Sequence, residues 1–291
     1  MPNPTNEIIE RAVVLDAGGV AGMAWIAGLL SGLKSKGCDL SAADVLIGSS
    51  LSALLAAQVR SGVALEKLFP MQALALAPHS WQSVTPKESY RFSELWARLI
   101  HRDAKSDPAN LLEVLLAARA IFTPSEWTSI VSEHIFLQDW PTRELKIIAT
   151  DCVSGQPVVF DRLSGAGLLD AIAASSATPG LVHPIKIDGR YCTDGGLCSP
   201  KNIGFAEDAQ KVVVISPMGT AEWAMSNDHA SMQIEQLKKG SEVMVVVPDY
   251  PSRVAFEDNP FLVQTRVHAA EAGLVQGIQL AKDISSFWVR D

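Results

Sequence analysis

The strongest constraint on the fold is a unit that occurs twice near the start of the chain. In each unit a short apolar run precedes a turn of small residues and then a helix pattern. The first places a strand at residues 12–16, a glycine-rich turn at 17–22 and a helix at about 23–36, and the second occupies residues 44–60. Because a helix is the usual crossover between parallel strands, the two units predict a parallel sheet covered by helices.

The turn of the second unit contains a candidate nucleophile. It reads Gly48-Ser49-Ser50-Leu51-Ser52, which is close to the Gly-x-Ser-x-Gly pattern of a nucleophile elbow. In that elbow a sharp strand-to-helix turn exposes the serine Oγ, so the pattern favours Ser50, two residues after the glycine, over its neighbour Ser49. The alternative is a strand that runs into a serine-capped helix, which is a common arrangement.

The glycine-rich turn at residues 16–22 has three interpretations. Its N–H groups stand at the start of a helix, where a nucleotide phosphate could bind, but the spacing fits neither the dinucleotide fingerprint nor the P-loop. In the second interpretation, the N–H groups of Gly18, Gly19 and Val20 form an oxyanion hole, which stabilises the charge on an attacked carbonyl oxygen. The third is a plain tight turn.

A second glycine pair follows an aspartate later in the chain, in the stretch Thr193-Asp194-Gly195-Gly196. An aspartate in such a loop usually serves turn formation, but it can also present a carboxylate as a general base. Residues 173–180 read as the end of a small-residue helix followed by a turn. This stretch could pack against the floor of an active site.

These stretches, in this order, resemble the patatin-like phospholipase family. The resemblance covers about residues 11–220 and depends on four motifs, at residues 16–22, 48–50, 174–180 and 194–196. It implies an α/β protein with a three-layer α/β/α fold, a mainly parallel central sheet and a helical insertion.

The family uses a Ser–Asp dyad without a histidine. Carried over by position, the resemblance implies that Ser50 is the nucleophile and Asp194 is the base. The oxyanion hole then comes from Gly18, Gly19 and Val20. This machinery implies hydrolysis of carboxylic esters of acyl lipids through an acyl-enzyme intermediate.

Three positions depart from the family pattern. Ala21 stands where an arginine or lysine is usual, Leu51 replaces a smaller residue, and Ser52 replaces the closing glycine of the elbow. A backbone oxyanion hole does not need the missing cation, but Leu51 and Ser52 are expected to crowd the turn. Two alternatives therefore remain: an acyltransferase with the same dyad, and a catalytically silent protein that binds acyl groups or lipids.

Residues 70–140 interrupt the alternation of strands and helices. Five prolines divide short helix patterns, and several aromatic residues occur there, among them Trp81, Phe92, Trp96, Phe122 and Trp127. We predict a helical insertion within a single domain that spans residues 1–291. The aromatic residues favour ordinary core packing, with a lid or an acyl pocket as the alternative. The remaining predicted strands are at 145–150, 157–160, 185–187, 190–192, 211–215 and 243–247.

The histidines and cysteines predict neither a triad nor a metal site. A Ser–His–Asp hydrolase would need a histidine near Ser50; His183 is the candidate, although a structural or surface role is favoured. No group of residues has metal-ligand spacing, so we expect no metal or organic cofactor. The cysteines lack C-x-x-C spacing, which is typical of reduced cytoplasmic thiols: Cys38, Cys152, Cys192 and Cys198.

Charge and hydropathy limit the possible partners. The chain carries a net charge of −8 and has no basic run, so no nucleic acid is expected as a partner. No apolar run approaches the ~20 residues that span a bilayer, and the first residues lack the features of a signal peptide. We therefore expect a cytoplasmic protein that acts on an acyl lipid or ester and makes at most peripheral contact with a membrane.

Overall fold

An eight-stranded sheet runs through the part of the chain that the structure, a computed structural model, describes: residues 9–73, 84–100, 109–198, 202–219, 229–257 and 259–288. Its strands, β1 to β8, are Arg11–Leu15, Val45–Ser49, Glu144–Asp151, Pro157–Phe160, Ile185–Ile187, Arg190–Thr193, Lys211–Ile215 and Glu242–Val246. Each predicted strand is present, with ends that differ by one residue at most.

Five consecutive strands of the sheet, from β3 to the edge strand β8, are parallel, as the two early units predict. The full order is β5-β6-β3-β2-β1-β7-β8, with β4 also paired to β3. The pairs from β3 to β8 along this order are parallel, whereas β4, β5 and β6 are antiparallel to their neighbours. The fold is therefore α/β with a mainly parallel central sheet.

The helices, α1 to α10, are Gly19–Ser35, Leu51–Arg60, Leu65–Ala73, Pro86–Ile100, Ala109–Ala117, Pro124–Ser132, Leu168–Ser175, His229–Leu237, Tyr250–Ala255 and Arg266–Trp288. None of them, within the ranges described, is long and apolar enough to cross a bilayer.

Apolar side chains fill both faces of the sheet. Along β1, Val13 and Leu15 belong to a large core that also contains residues of α1, α2, α7 and α10. Ala12 and Val14 point to the other face and belong to a smaller core with Ile234 of α8. Since successive side chains of a strand point to opposite faces, this alternation places helices on both sides of the sheet. The predicted three-layer architecture is confirmed.

Helix α1 begins at Gly19, four residues before the predicted start. Its first turn contains two glycines, which have low helix propensity. Tertiary contacts outweigh that propensity, because the N–H of Ala21 donates to the carbonyl oxygen of Pro260 (3.0 Å) and Gly22 approaches Pro217 closely. The helix therefore starts inside the glycine-rich stretch and not after it.

The segment before β3 is helical where it is described, in α4, α5 and α6. Pro86 and Pro124 each stand at the first residue of a helix, where the missing N–H has no intrahelical partner to lose. Phe92, Trp96 and Trp127 are buried, whereas Trp81 lies outside the described residues. The assignment of this segment as an insertion in a single domain stays a prediction.

Candidate active site

Ser50 lies at a strained turn between β2 and α2. Its φ of +57° and ψ of −142° are rarely adopted by residues other than glycine. The Ser50 N–H donates to the Oγ of Ser175 (3.0 Å), whose hydroxyl donates to the carbonyl oxygen of Ile148 (2.6 Å). A Cβ on Gly48 would lie 2.8 Å from the Cα of Ala53, so only glycine permits α2 to start this close to β2. The surrounding contacts thus hold the elbow in its strained form.

The topology brings Asp194 to this turn from 144 residues away. Strand β6 runs back along the carboxyl end of β3, where Thr193 pairs with Thr150. Gly195 then lies against the carbonyl oxygen of Ile148. Ile148 is on β3 and pairs with Ser49 of β2. As a result the Oγ of Ser50 donates a 2.8 Å hydrogen bond to Oδ2 of Asp194. Both side chains are buried, with 2% and 0% of their surface exposed.

Three donors hold the Asp194 carboxyl group. Besides the bond from Ser50, Oδ2 accepts a hydrogen bond from the Oγ1 of Thr178 (2.9 Å). The other oxygen, Oδ1, accepts one from the N–H of Gly196 (3.0 Å). Burial raises the pKa of Asp194 to about 6, and the three hydrogen bonds act in the opposite direction. A carboxyl group with this pKa is mostly ionised at neutral pH and remains basic enough to accept a proton.

The glycine loop leaves the sheet beside the elbow. Leu15, at the end of β1, pairs with Gly48 at the end of β2, so both loops emerge at the same edge. The Ser52 hydroxyl donates to the carbonyl oxygen of Asp16 (2.7 Å) and ties the two loops together. The expectation that Ser52 crowds the turn is therefore wrong, because its side chain is accommodated in a hydrogen bond. Leu51 also does not block the turn, since its side chain lines a pocket.

The loop ends in free backbone donors. In the described part of the chain no hydrogen bond uses the N–H groups of Gly18, Gly19 or Val20, which stand at the start of α1, where N–H groups lack intrahelical partners. The next N–H, that of Ala21, is already bound to the carbonyl oxygen of Pro260. The three unused N–H groups are the ones predicted for an oxyanion hole.

A mostly apolar pocket lies next to Ser50 and Asp194. Three of the residues that line it lie next to Ser50 or Asp194 or belong to the glycine loop: Leu51, Thr178 and Val20. The rest of its wall comes from Val84, Phe92, Phe122, Trp127, Leu181, Phe261 and Val263. Two rings of the helical segment, Phe92 and Trp127, are buried and also line this pocket, and a role in acyl binding stays a prediction.

One wall of the pocket comes from a part of the chain that sequence reasoning missed. Residues 259–263 cross the start of α1, and the Phe261 ring packs edge-to-face against Phe92 (5.3 Å between centroids) and Trp96 (6.0 Å). The Ser89 hydroxyl contacts the Phe261 carbonyl oxygen at 3.5 Å. Asn-Pro-Phe reads as an ordinary turn in the sequence, so no local signal points to this role.

The other candidate groups do not join the dyad. His183 lies between α7 and β5, and within the described ranges neither Ser50 nor Asp194 has a hydrogen bond to a histidine. Burial raises the pKa of Cys192 to about 11, which is the behaviour of an inert buried thiol. The described residues also contain no group of three or more metal-ligand side chains.

Comparison with known proteins gives matches along most of the chain. A model of the patatin-like phospholipase family matches residues 13–206. Uncharacterized NTE family proteins of Mycobacterium bovis and Mycobacterium tuberculosis are each 28% identical over 193 residues, which cover 65% of this chain but only 43% of each relative. Among solved structures, VipD from Legionella pneumophila has a TM-score of 0.49 at 12% identity, covering 95% of this chain and 67% of VipD. ExoU from Pseudomonas aeruginosa, solved with SpcU, has a TM-score of 0.38 at 17% identity, covering 93% and 53%.

Proposed function

Because the chain belongs to the patatin-like phospholipase family, we propose that it is a serine acyl hydrolase that cleaves carboxylic esters of acyl lipids. One observation carries the proposal: the Oγ of Ser50, at a strained strand-to-helix turn, donates to the buried carboxyl group of Asp194. A serine hydroxyl is a weak nucleophile unless an adjacent base accepts its proton, and Asp194 is in position to do so.

In the first half of the reaction, Ser50 Oγ attacks the ester carbonyl carbon while its proton moves to Oδ2 of Asp194. The carbonyl oxygen becomes an oxyanion, which the N–H groups of Gly18, Gly19 and Val20 stabilise. The intermediate then collapses: the ester C–O bond breaks, and the leaving alkoxide takes the proton from Asp194. The products of this half are a free alcohol and an acyl group bound to Ser50.

In the second half, a water molecule attacks the acyl-enzyme. Asp194 accepts a proton from this water as the new C–O bond forms, and the oxyanion occupies the same hole. When the bond to Ser50 Oγ breaks, Asp194 returns the proton to that oxygen, which releases the carboxylic acid. The dyad is thus restored with no group other than water consumed.

The apolar pocket supports an acyl chain as the part of the substrate that is recognised. Its wall contains Leu51, which follows Ser50 in the chain, and also Val20, Phe92, Trp127 and Phe261. Burying an acyl chain against such a wall contributes about 0.8 kcal/mol for each methylene group. Binding there would leave the ester carbonyl near Ser50 and the alcohol portion outside.

An acyltransferase is the second candidate function, favoured by the burial of the dyad. With at most 2% of either dyad side chain exposed, water reaches the acyl-enzyme poorly. An alcohol acceptor that occupies the place of the departed alcohol, outside the acyl pocket, would take the acyl group instead. Product analysis with and without an added alcohol distinguishes the two: a new ester identifies transfer, and free acid alone identifies hydrolysis.

Labelling with a fluorophosphonate probe tests the proposal directly. We expect the label on Ser50, together with hydrolysis of p-nitrophenyl esters by the wild-type protein. Ser49→Ala is the matched control, because the Ser49 hydroxyl is buried beside Ser50 and has no hydrogen-bond partner among the described residues; this variant should still be labelled. A label on Ser49 would contradict the assignment of Ser50 as the nucleophile. A folded protein that is neither labelled nor active would contradict the proposal and favour a silent binding protein.

A further inference from the structure

The base of the proposed dyad receives a second hydroxyl donor on its reacting oxygen. Oδ2 of Asp194 accepts hydrogen bonds from Ser50 (2.8 Å) and from Thr178 (2.9 Å) at the same time. Resting on the proposed function, we propose that Thr178 is a positioning residue, whose hydroxyl holds the Asp194 carboxylate toward Ser50 and stabilises its ionised form. Thr178 would act through Asp194 and would not react with the substrate.

The two oxygens of the carboxylate are held from different directions. Gly196 N–H fixes Oδ1, and Thr178 fixes Oδ2, so the group cannot rotate away from Ser50. The bond from Ser50 cannot serve this purpose throughout the reaction, because its proton is the one transferred. Thr178 therefore supplies the donor that remains on Oδ2 while Ser50 is acylated.

Thr178 itself is placed by rigid backbone contacts. The end of α7 and the Asp194 loop are joined by a bond from the Asp194 N–H to the Ala177 carbonyl oxygen (3.2 Å) and by one from Gly195 N–H to Ser175 (3.0 Å). These bonds fix the distance between the threonine and the carboxyl group. With 2% of its surface exposed, Thr178 makes its hydrogen bond away from bulk water, where such a bond is stronger.

The hydroxyl can also follow the change in protonation. The Thr178 Oγ1 lies 3.4 Å from the carbonyl oxygen of Ser176, which is a second, weaker acceptor. When Oδ2 carries the proton from Ser50, the threonine hydroxyl can turn its own proton toward Ser176. It then accepts a hydrogen bond from the protonated carboxyl group instead of opposing it.

Removal of the hydroxyl should shift the protonation of Asp194. Burial raises the pKa of this carboxyl group, and hydrogen bonds from Gly196, Ser50 and Thr178 lower it. A charge-assisted bond stabilises the ionised form, so its loss moves the pKa further upward. Removal of the Thr178 hydroxyl leaves the other titratable groups of the neighbouring elements in place. These groups are Asp16 after β1, Asp151 on β3, Arg190 and Cys192 on β6, and Cys198 after the glycine pair.

The test compares pH profiles of kcat/KM for a p-nitrophenyl ester. Thr178→Val keeps the shape of the side chain but removes the hydroxyl, and we expect its acid limb to move upward by about one pH unit. Thr178→Ser should return the limb to the wild-type pH. Thr193→Val is the matched control, because the Thr193 hydroxyl is also buried but donates to the carbonyl oxygen of Ala177 (2.8 Å) and not to Asp194.

The outcomes separate this proposal from the proposed function. An unchanged acid limb in folded Thr178→Val, with wild-type labelling on Ser50, overturns the positioning role alone. An equal shift in Thr193→Val would show a general packing effect and overturns it too. If Thr178→Val does not fold, Thr178→Ala is measured by the same criterion. A wild-type protein that is neither labelled nor active overturns both proposals.

Discussion

At the scale of single residues, burial determines how a carboxyl group can serve as the base of Ser50. An exposed aspartate is a weak base, because its carboxylate is well hydrated. Asp194 is fully buried, which penalises the charged form, while three hydrogen bonds keep that form accessible. The balance places its pKa at about 6, between an ordinary carboxyl group and a histidine.

The first prediction concerns pH. We expect kcat/KM for an uncharged ester to fall as the pH drops through about 6, because protonated Asp194 cannot accept the proton of Ser50. The rise should be complete about one to two units above that pKa. A profile measured between pH 4 and 9, corrected for uncatalysed hydrolysis, checks this. Activity that stays constant down to pH 4 would exclude Asp194 as the essential base.

The second prediction concerns coupling within the dyad. Ser50→Ala and Asp194→Asn should each lower kcat by about 10²-fold or more, because each removes one half of the same proton transfer. The double variant should be little worse than either single variant, since residues that act as a unit are not additive. Additive losses in kcat would instead indicate that the two side chains act independently.

Local patterns were enough to name the two residues of the proposed dyad but not the residues that hold them in place. Ser50 and Asp194 each stand in a short, glycine-marked motif, so both could be named from the sequence. Ser175 and Thr178 act only through contacts with chain segments that are distant in sequence, and no local pattern distinguishes them from other small residues. Ser52 was misjudged for the same reason, because its acceptor is the carbonyl oxygen of Asp16.

At the scale of elements, the wall of the pocket combines α4, α6 and the segment at 259–263. Phe261 contributes a ring to this wall and packs on Phe92 and Trp96. Trp96 also supports the loop of Asp194, because a Cβ on Gly196 would lie 2.8 Å from its ring. Its replacement would therefore not test the pocket wall alone. Phe261 offers the cleaner substitution.

The third prediction is that Phe261→Ala changes the preference for acyl length. The removed ring enlarges the pocket, so the ratio of activity on long to short esters should rise by about 3-fold or more. Phe256→Ala is the matched control: its ring is equally buried but packs on Trp25, 6.2 Å away, outside the pocket. Equal changes of the ratio in both variants would remove the pocket from acyl recognition.

In helix α10, the low helix propensity of two glycines gives no indication of their contact with α1. In the sequence, Gly273 and Gly277 only weaken a helix. In the structure, they allow α10 to lie directly on α1, since a Cβ on Gly273 would come within 2.1 Å of the carbonyl oxygen of Trp25. The helix pattern was visible in the sequence, but its partner was not.

The fourth prediction follows from this contact. Gly273→Ala should lower the free energy of unfolding by about 1–3 kcal/mol or more, because the added methyl group forces α1 and α10 apart. Gly240→Ala is the control, since a Cβ there meets no atom within 4 Å, and its effect should stay below about 0.5 kcal/mol. Urea denaturation of the two variants measures the difference, and equal stabilities would argue against the close packing.

At the scale of the whole molecule, residues that follow the family match contribute to the candidate site and to its support. The match ends at residue 206, yet Pro260 binds the start of α1, and Phe261 and Val263 line the pocket. Helix α10 then packs along α1, the helix that follows the glycine loop. Residues 259–263 and α10 therefore differ from the glycine-marked motifs: packing positions them, and no short sequence pattern indicates their contacts.

The last prediction concerns how the molecule meets a lipid surface. A net charge of −8 repels an anionic bilayer, and the repulsion weakens as salt shortens the Debye length. If acyl lipids are the substrates, hydrolysis in anionic vesicles should be slower than in zwitterionic vesicles at low salt, near about 20 mM. The difference should shrink at about 500 mM, where the Debye length falls to a few ångströms.

A soluble, uncharged p-nitrophenyl ester serves as the control for this comparison, because its rate should not depend on salt. Charged side chains near the pocket would explain the opposite result, which is faster hydrolysis of anionic vesicles. Lys87 and Arg91 stand on α4, the helix that places Phe92 in the pocket wall, and Arg119 lies close to them, together with the carboxylates of Glu88 and Glu94. Faster hydrolysis of anionic vesicles at low salt would contradict the prediction, and it would indicate that local charges, rather than the net charge, govern the approach to the lipid surface.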